Sequence, residues 1–252
     1  MKKTACLSLV CASLAAFAAD TTVDTGNQMG VLKVTENETN YLLVAVPWNE
    51  LGTGNEAVSI ETLVNPDQLE AGDKLYVAAD DSYNVFKIQN NKWVGCATAT
   101  VGADGMISEA TASPSATVKR GNAVWLYRQH PSSKSSFYLL GQKPEAGAVT
   151  VDVAAGNNLV ASPAVGGLDL RTWNGKNGDA DEYGCKTGDS IRINGNDGTA
   201  KNYAYSETKG WMLQKTDGWK QVTDQGVVDA DKVIPAGQGF WYRAKASGKL
   251  TF

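Results

Sequence analysis

The sequence predicts an all-β protein made of two tandem, related β-sandwich or β-barrel repeats with little helix. Three observations lead to this prediction. Short apolar runs alternate with polar residues at the period of a strand, and glycine- and asparagine-rich breakers separate these runs. In addition, several segments recur at one fixed offset along the chain. The only helix expected is a short one at 59–63, with Ser59 as its cap.

The recurring segments indicate a duplicated structural unit. Three pairs share an offset of 116 positions: 43–47 with 159–163, 72–75 with 188–191, and 121–125 with 237–241. One offset at three separate places is hard to obtain by chance, and such self-similarity is typical of tandem units. We therefore divide the chain into a first β-repeat at 20–142 and a second at 143–252.

The Gly-Asp pairs within these segments predict turns that lead into strands. Glycine supplies unusual backbone dihedrals, and the aspartate side chain bonds to nearby backbone groups. Because Asp73 recurs as Asp189, and each copy needs such a turn, we favour a turn role over a catalytic one for both residues.

The glycines of the third pair indicate close approach between backbones. Trp125 and Trp241 occupy equivalent positions in these strands, and we expect them to be core residues.

The first 19 residues have the features of a secretory signal peptide. Lys2 and Lys3 precede a short apolar stretch, and the alanine-rich segment 15–19 supplies the small residues of a cleavage site. The apolar stretch is shorter than the ~20 residues that span a bilayer, so we expect no transmembrane segment. The sequence thus predicts a secreted protein at the cell surface or in the extracellular space, with the periplasm as an alternative.

Taken in order, these motifs resemble a family of secreted bacterial two-copy β-repeat proteins. The resemblance is carried by the predicted strand at 30–34, the Leu-Val-Ala-Val-Pro-Trp run at 43–48, the Gly-Asp turn and strand at 72–77, the Lys-Trp pair at 92–93 and the Gly-x-x-x-Trp segment at 121–125. It covers nearly the whole chain after the first 19 residues. The resemblance implies export and a two-copy β-architecture, and it contributes no catalytic residue.

Charge argues against a nucleic-acid partner. The formal net charge of −4 becomes −6 once Lys2 and Lys3 are removed. The longest basic cluster of the remaining chain is Lys119-Arg120, whereas neutralising phosphates needs clustered basic residues.

Catalytic constellations are not found either. His130 is the single histidine, and no serine lies in a Gly-x-Ser-x-Gly turn. One histidine and two distant cysteines also make a poor zinc site. We therefore expect a protein that is not an enzyme.

Two cysteines, Cys96 and Cys185, remain after the first 19 residues. Export permits a disulfide between them. The sequence leaves open whether their Cα atoms come close enough to bond or whether both are free thiols.

No cofactor is expected, with calcium as the alternative. Asp179, Asp181 and Glu182 lie among glycines, and oxygen ligands on such a loop suit Ca²⁺. Their spacing does not match the helix–loop–helix calcium loop, so a solvated acidic loop is the other interpretation.

Tryptophan residues supply the ligand-binding hypothesis. Trp173 and Trp219 lie in polar, glycine-rich surroundings, and Trp211 follows polar residues on a hairpin-like segment. Trp93 and Trp211 also suit packing in a core or at its rim.

Two functional hypotheses follow. The first is a structural, surface or adhesive protein that self-assembles or contacts a surface polymer, since sheet edges permit strand addition. The alternative is a carbohydrate-binding module that uses exposed tryptophan platforms at Trp173, Trp219 or Trp211.

Overall fold

The computed structural model describes residues 29–35, 40–79, 82–96, 100–101, 107–108, 116–132, 136–144, 149–163, 166–176, 184–194 and 199–252. Within these residues the protein is built mainly from open antiparallel sheets, which confirms the predicted all-β class. None of the described sheets closes on itself, so the barrel alternative is wrong for this part of the chain.

The first half of the chain forms one main sheet with smaller ribbons beside it. Its strands are β1 Met29–Thr35, β2 Tyr41–Ala45, β3 Ala57–Ser59, β4 Lys74–Ala79, β5 Ser82–Gln89, β6 Lys92–Cys96, β7 Thr100–Val101, β8 Ile107–Ser108, β9 Thr117–Lys119, β10 Ala123–Tyr127 and β11 Ser136–Gln142. The main sheet has the order β2-β10-β4-β5-β6, and β1-β11, β3-β9 and β7-β8 form two-stranded ribbons. The helix α1 spans Ile60–Leu63, and a 3-10 turn follows at Pro66–Gln68.

The second half has a main sheet of six strands. Its strands are β12 Thr150–Val153, β13 Gly156–Ala161, β14 Leu168–Asp169, β15 Ser190–Asn194, β16 Ala200–Ser206, β17 Gly210–Lys215, β18 Gly218–Gln221, β19 Val233–Ile234, β20 Gly239–Ala244 and β21 Gly248–Thr251, with a 3-10 turn at Asp229–Asp231. The main sheet runs β13-β20-β15-β16-β17-β18, and β12-β21 and β14-β19 are ribbons. Strand for strand, this order matches β2-β10-β4-β5-β6, with β18 added at the end.

Apolar side chains collect on one face of each main sheet. In the first half, Leu75, Phe86 and Leu126 of the main sheet pack with Phe137 and Leu139 of β11. A second, separate cluster uses residues from Val153 to Leu250. Side chains on the opposite, outer faces are half-buried or exposed, such as Tyr76 and Trp125 in the first half and Arg192 and Arg243 in the second.

The short helix begins at its predicted cap. The Ser59 hydroxyl accepts a hydrogen bond from the Thr62 backbone N–H at 3.2 Å. The Glu50 carboxylate accepts from the Ser59 backbone N–H and from the Thr62 hydroxyl, each at 2.6 Å. The bonds from the Ser59 and Thr62 N–H groups satisfy backbone donors that a short helix leaves without internal partners.

The turn role of both aspartates is confirmed. Buried Asp73 accepts the backbone N–H groups of Glu70 and Gln129, each at 2.8 Å. Buried Asp189 accepts the equivalent groups, 116 positions later, from Lys186 at 2.7 Å and Lys245 at 2.8 Å.

The two aspartates differ in one partner. The guanidinium of Arg128 forms a buried ion pair with Asp73 at 2.8 Å. Position 244, the counterpart of Arg128, is alanine, and the Tyr242 hydroxyl donates to Asp189 instead.

The two halves meet through a reciprocal pair of backbone hydrogen bonds. The N–H of Ala45 donates to the carbonyl of Gly237 at 2.9 Å, and the N–H of Ala161 donates to the carbonyl of Gly121 at 2.8 Å. Both glycines have positive φ, +80° and +88°, which disfavours other residues there. The two donor residues are 116 positions apart in the sequence, and so are the two acceptor residues.

Small side chains let these backbones approach. Ala45, Ala123 and Ala161 form a buried cluster of their own between the two larger cores. A Cβ atom on Gly239 would lie 2.5 Å from the Cβ of Ala123, so only glycine fits there without a shift. The expectation of close backbone approach at these glycines is confirmed.

Candidate functional site

An open groove of about 530 Å³ crosses the outer face of the second main sheet. We call it the arginine groove and define it by six lining residues. They are Asn157, Arg192, Asn202, Trp219, Trp241 and Arg243.

Strand alternation directs these side chains away from the core. In β20, Phe240 and Tyr242 are buried, so Trp241 and Arg243 project from the opposite face. In β15, the residues on either side of Arg192 are buried isoleucines, and Arg192 is exposed.

Sheet register places the side chains in a row between two tryptophans. Trp241 lies opposite Arg192, Arg192 lies opposite Asn202, and Gln214 lies opposite Trp219. The Asn202 amide donates to the Gln214 side-chain oxygen at 3.4 Å. Neighbouring strands are separated by 4.7–4.9 Å, so the row from β20 to β18 extends about 19 Å.

The groove is locally cationic in a protein of net charge −4. Arg192 and Arg243 are both exposed, and none of the described residues that line the groove is acidic. Within the described part of the chain, neither guanidinium forms an ion pair. The groove therefore offers two guanidinium groups and two aromatic rings to a ligand.

The structure separates the three tryptophans that the sequence suggested as platforms. Trp219 is 49% exposed and lines the groove. Trp211 is only 1% exposed in the core, where its Nε1 donates to the Trp173 carbonyl at 3.0 Å, so it cannot serve as a platform. Packing at the core was the other interpretation of Trp211, and it is confirmed.

Trp173 is half-buried at the edge of the second core. Its ring stacks with Trp211 at 5.8 Å and with Phe252 at 5.1 Å between centroids. Its Nε1 donates to the Thr251 carbonyl at 2.8 Å. Trp173 thus has a packing role outside the arginine groove.

Trp125 and Trp241 correct a sequence prediction. Both were expected in the core, but both are half-buried on the outer sheet faces, with ring centroids 6.4 Å apart. The residues beside them, such as Phe240 and Tyr242, are also apolar or aromatic, which hides the alternation. Arg243 could have indicated the site from the sequence. Residues two apart in a strand share a face, so a charged Arg243 places Trp241 on the outer face.

The corresponding face of the first main sheet has different chemistry. Positions 116 before Arg192 and Arg243 are Tyr76 and Tyr127. Tyr41 contacts both rings, at 6.3 Å and 5.1 Å between centroids. Burial, followed by the neighbouring Tyr41, raises the pKa of Tyr76 to about 12, so this tyrosine is uncharged at physiological pH. This face carries a charge at Lys74, whose Nζ lies 6.0 Å from the centre of the Tyr127 ring.

The cysteines are free thiols in the structure, so the disulfide alternative is not formed. Cys96 is half-buried at the end of β6, and Cys185 is buried in the second core. Burial raises the pKa of the Cys185 thiol to about 12, which makes it a poor nucleophile at neutral pH.

The suggested calcium ligands, Asp179, Asp181 and Glu182, lie outside the described residues. Among the residues that are described, no group of three or more His, Cys, Asp or Glu side chains could hold a metal ion.

The fold and site define an all-β protein with an open groove on a sheet face. Comparison with known protein families, curated proteins and solved structures finds no match. No helix in the described residues has the length and apolar character needed to cross a membrane.

Proposed function

We propose that this protein is an exported, non-enzymatic binding protein that holds carbohydrate in the arginine groove. The observation that carries the proposal is the exposed ring of Trp219, which lines one groove with Trp241. Amide and guanidinium side chains lie between the two rings. This proposal favours the alternative hypothesis from the sequence over self-assembly.

The chemistry of the groove suits a sugar chain. An indole combines a broad apolar face with a polar N–H, and it can stack on the C–H face of a sugar ring. The amides of Asn157 and Asn202 can both donate and accept hydrogen bonds, as sugar hydroxyls require. An open row of about 19 Å suits an extended oligosaccharide better than a compact ligand.

The wider architecture is compatible with a surface role. The recurring segments and the matched strand orders support a duplicated β-unit. The basic and apolar residues of the first 19 positions support export. A surface or extracellular polysaccharide is the ligand that such a location provides, which also fits an adhesive function.

Self-association remains the second candidate. The strands β6 and β18 end their main sheets and could receive an added strand. However, β18 has only four residues, and Lys220 within it pairs with Asp217 at 2.8 Å. Short, charged edge strands resist strand addition, which weakens this candidate.

The test is titration of residues 20–252 with a polysaccharide panel, followed by tryptophan fluorescence and calorimetry. We expect Trp219→Ala to weaken binding about five- to tenfold, because one stacking contact is lost. Tyr138→Ala is the matched control, since Tyr138 is 43% exposed and lies outside the groove. Binding to none of the polysaccharides would overturn the proposal, and concentration-dependent oligomers would favour self-association.

A further inference from the structure

We infer that the sugar chain held in the arginine groove is anionic, and that Arg192 and Arg243 bind its carboxylate or sulfate groups. This inference rests on the proposed carbohydrate-binding function and specifies its substrate class.

The two arginines are placed to act together. Arg192 of β15 lies opposite Trp241 of β20, and Arg243 follows two positions later on the same face. Diagonal neighbours of this kind are about 7–8 Å apart. A guanidinium presents several N–H donors in one plane and can bind a carboxylate through two hydrogen bonds. The pair can therefore contact one acidic sugar or two anionic groups along a chain.

Ion pairing sets these two arginines apart from the other three in the chain. The others all pair with carboxylates: Arg120 with Glu56, Arg128 with Asp73, and Arg171 with Asp169 and Asp224. Within the described residues, Arg192 and Arg243 have no such partner, although they are neighbours of like charge. An anionic ligand would supply the missing negative charge.

The fold itself does not require these charges. The equivalent positions on the first main sheet are Tyr76 and Tyr127, whose rings pack with Tyr41 on the outer face of a sheet with the same strand order. Arginine at both positions of the second sheet therefore changes the chemistry of the outer face while the strand arrangement is kept. This is the difference expected when one face is specialised for anions.

The first experiment compares glycans that share a backbone and differ in charge. Polygalacturonate is compared with its fully methyl-esterified form, and dextran sulfate with dextran. We expect binding to at least one anionic member, binding at least tenfold weaker to its neutral partner, and loss of affinity with added salt. The two pairs distinguish carboxylate from sulfate as the preferred group.

Variants then assign the effect to the groove. Arg192→Gln and Arg243→Gln should each weaken anionic binding roughly tenfold or more, the loss expected for a hydrogen bond to a charged group. Lys186→Gln and Lys209→Gln remove the same charge from exposed positions outside the groove, and should change affinity little.

The outcomes separate the two proposals. If neutral and anionic glycans bind equally and the arginine variants behave like the lysine controls, the anionic inference is overturned while carbohydrate binding stands. If no glycan binds, the proposed function itself fails. Stronger competition from a single-stranded oligonucleotide than from any glycan would also overturn the inference.

Discussion

Trp125 and Trp241 face each other across the junction of the two main sheets, with ring centroids 6.4 Å apart and ring planes inclined at 53°. They occupy the same position in β10 and β20, 116 residues apart. The hydrogen bonds of Ala45 and Ala161 are exchanged in the same reciprocal way. Equivalent residues of the two halves therefore make the same contact in both directions, as they do at the interface of a twofold-symmetric dimer. Trp241 contributes both to this junction and to the arginine groove.

The junction predicts a steric effect at Gly239. Gly239→Ala should lower the free energy of unfolding by about 1–3 kcal/mol, because the new Cβ would lie 2.5 Å from the Cβ of Ala123. Adding Ala123→Gly should recover part of this loss, which urea denaturation of the single and double variants would measure. Gly248→Ala is the control, since nothing lies within 4 Å of its added Cβ. Equal stability of the Gly239 and Gly248 variants would contradict this packing.

Trp211 and Trp219 predict opposite consequences for stability and binding. Trp211→Ala should destabilise the protein by about 3–5 kcal/mol, because it empties a core position that is 1% exposed. Trp219→Ala should change stability by less than about 0.5 kcal/mol and act on ligand affinity instead. Thermal denaturation of both variants tests this contrast, and a large loss of stability in Trp219→Ala would disagree with its exposed placement.

The paired aspartates should respond unequally to the same substitution. Asp73→Asn leaves the Arg128 guanidinium buried beside a neutral side chain, and we expect a loss of about 3–5 kcal/mol. Asp189→Asn loses charge-assisted hydrogen bonds but leaves no buried arginine without its ion-pair partner, so we expect the free energy of unfolding to fall by about 1–3 kcal/mol. Denaturant titration of each variant gives the comparison, and a larger cost at Asp189 would refute the assigned role of Arg128.

Asp231 predicts a specific acid sensitivity. Its carboxylate bonds to Lys201 at 2.7 Å and to Lys215 at 2.6 Å. Burial raises the pKa of Asp231 and the two lysine hydrogen bonds lower it, with a net shift below the ordinary 3.8. Because the folded-state pKa is depressed, the ion pairs stabilise the protein above about pH 4 and are lost as the pH falls through that pKa.

Asp231→Asn removes this dependence. Its stability deficit relative to the unsubstituted protein should be greatest near neutral pH and should shrink as the solution is acidified. Urea midpoints across the acid range measure the difference. A deficit that stays constant from neutral to strongly acidic pH would exclude the proposed ion-pair contribution.

The cysteines predict two thiols of unequal reactivity. In folded residues 20–252, iodoacetamide should label half-buried Cys96 faster than Cys185, whose buried thiol has a pKa raised to about 12. Unfolding in urea should make both accessible without a reductant, which mass spectrometry would record. A requirement for reductant before either cysteine reacts would show a disulfide instead.

Much of the local structure could be read from the sequence because it depends on residues that are near in the chain. Strand alternation predicted the all-β class, and Ser59 was identified as a helix cap from its own position. The Gly-Asp pairs predicted turns because the aspartate bonds to the backbone nearby. Positions that the sequence relates by the offset of 116 make equivalent contacts in the structure, as Asp73 and Asp189 do.

Only the tertiary structure decided which face of each strand is buried. Trp241 lies between Phe240 and Tyr242, and alternation among three aromatic residues defines two faces without saying which one meets the core. Trp211 and Trp219 are close in sequence, yet one lies in the core and the other in the groove. The arginine groove draws on strands from β13 to β20, and their order brings Arg192, Trp219 and Trp241 together. Local sequence therefore determined the strands and turns, and long-range strand pairing, which local patterns do not encode, created the site.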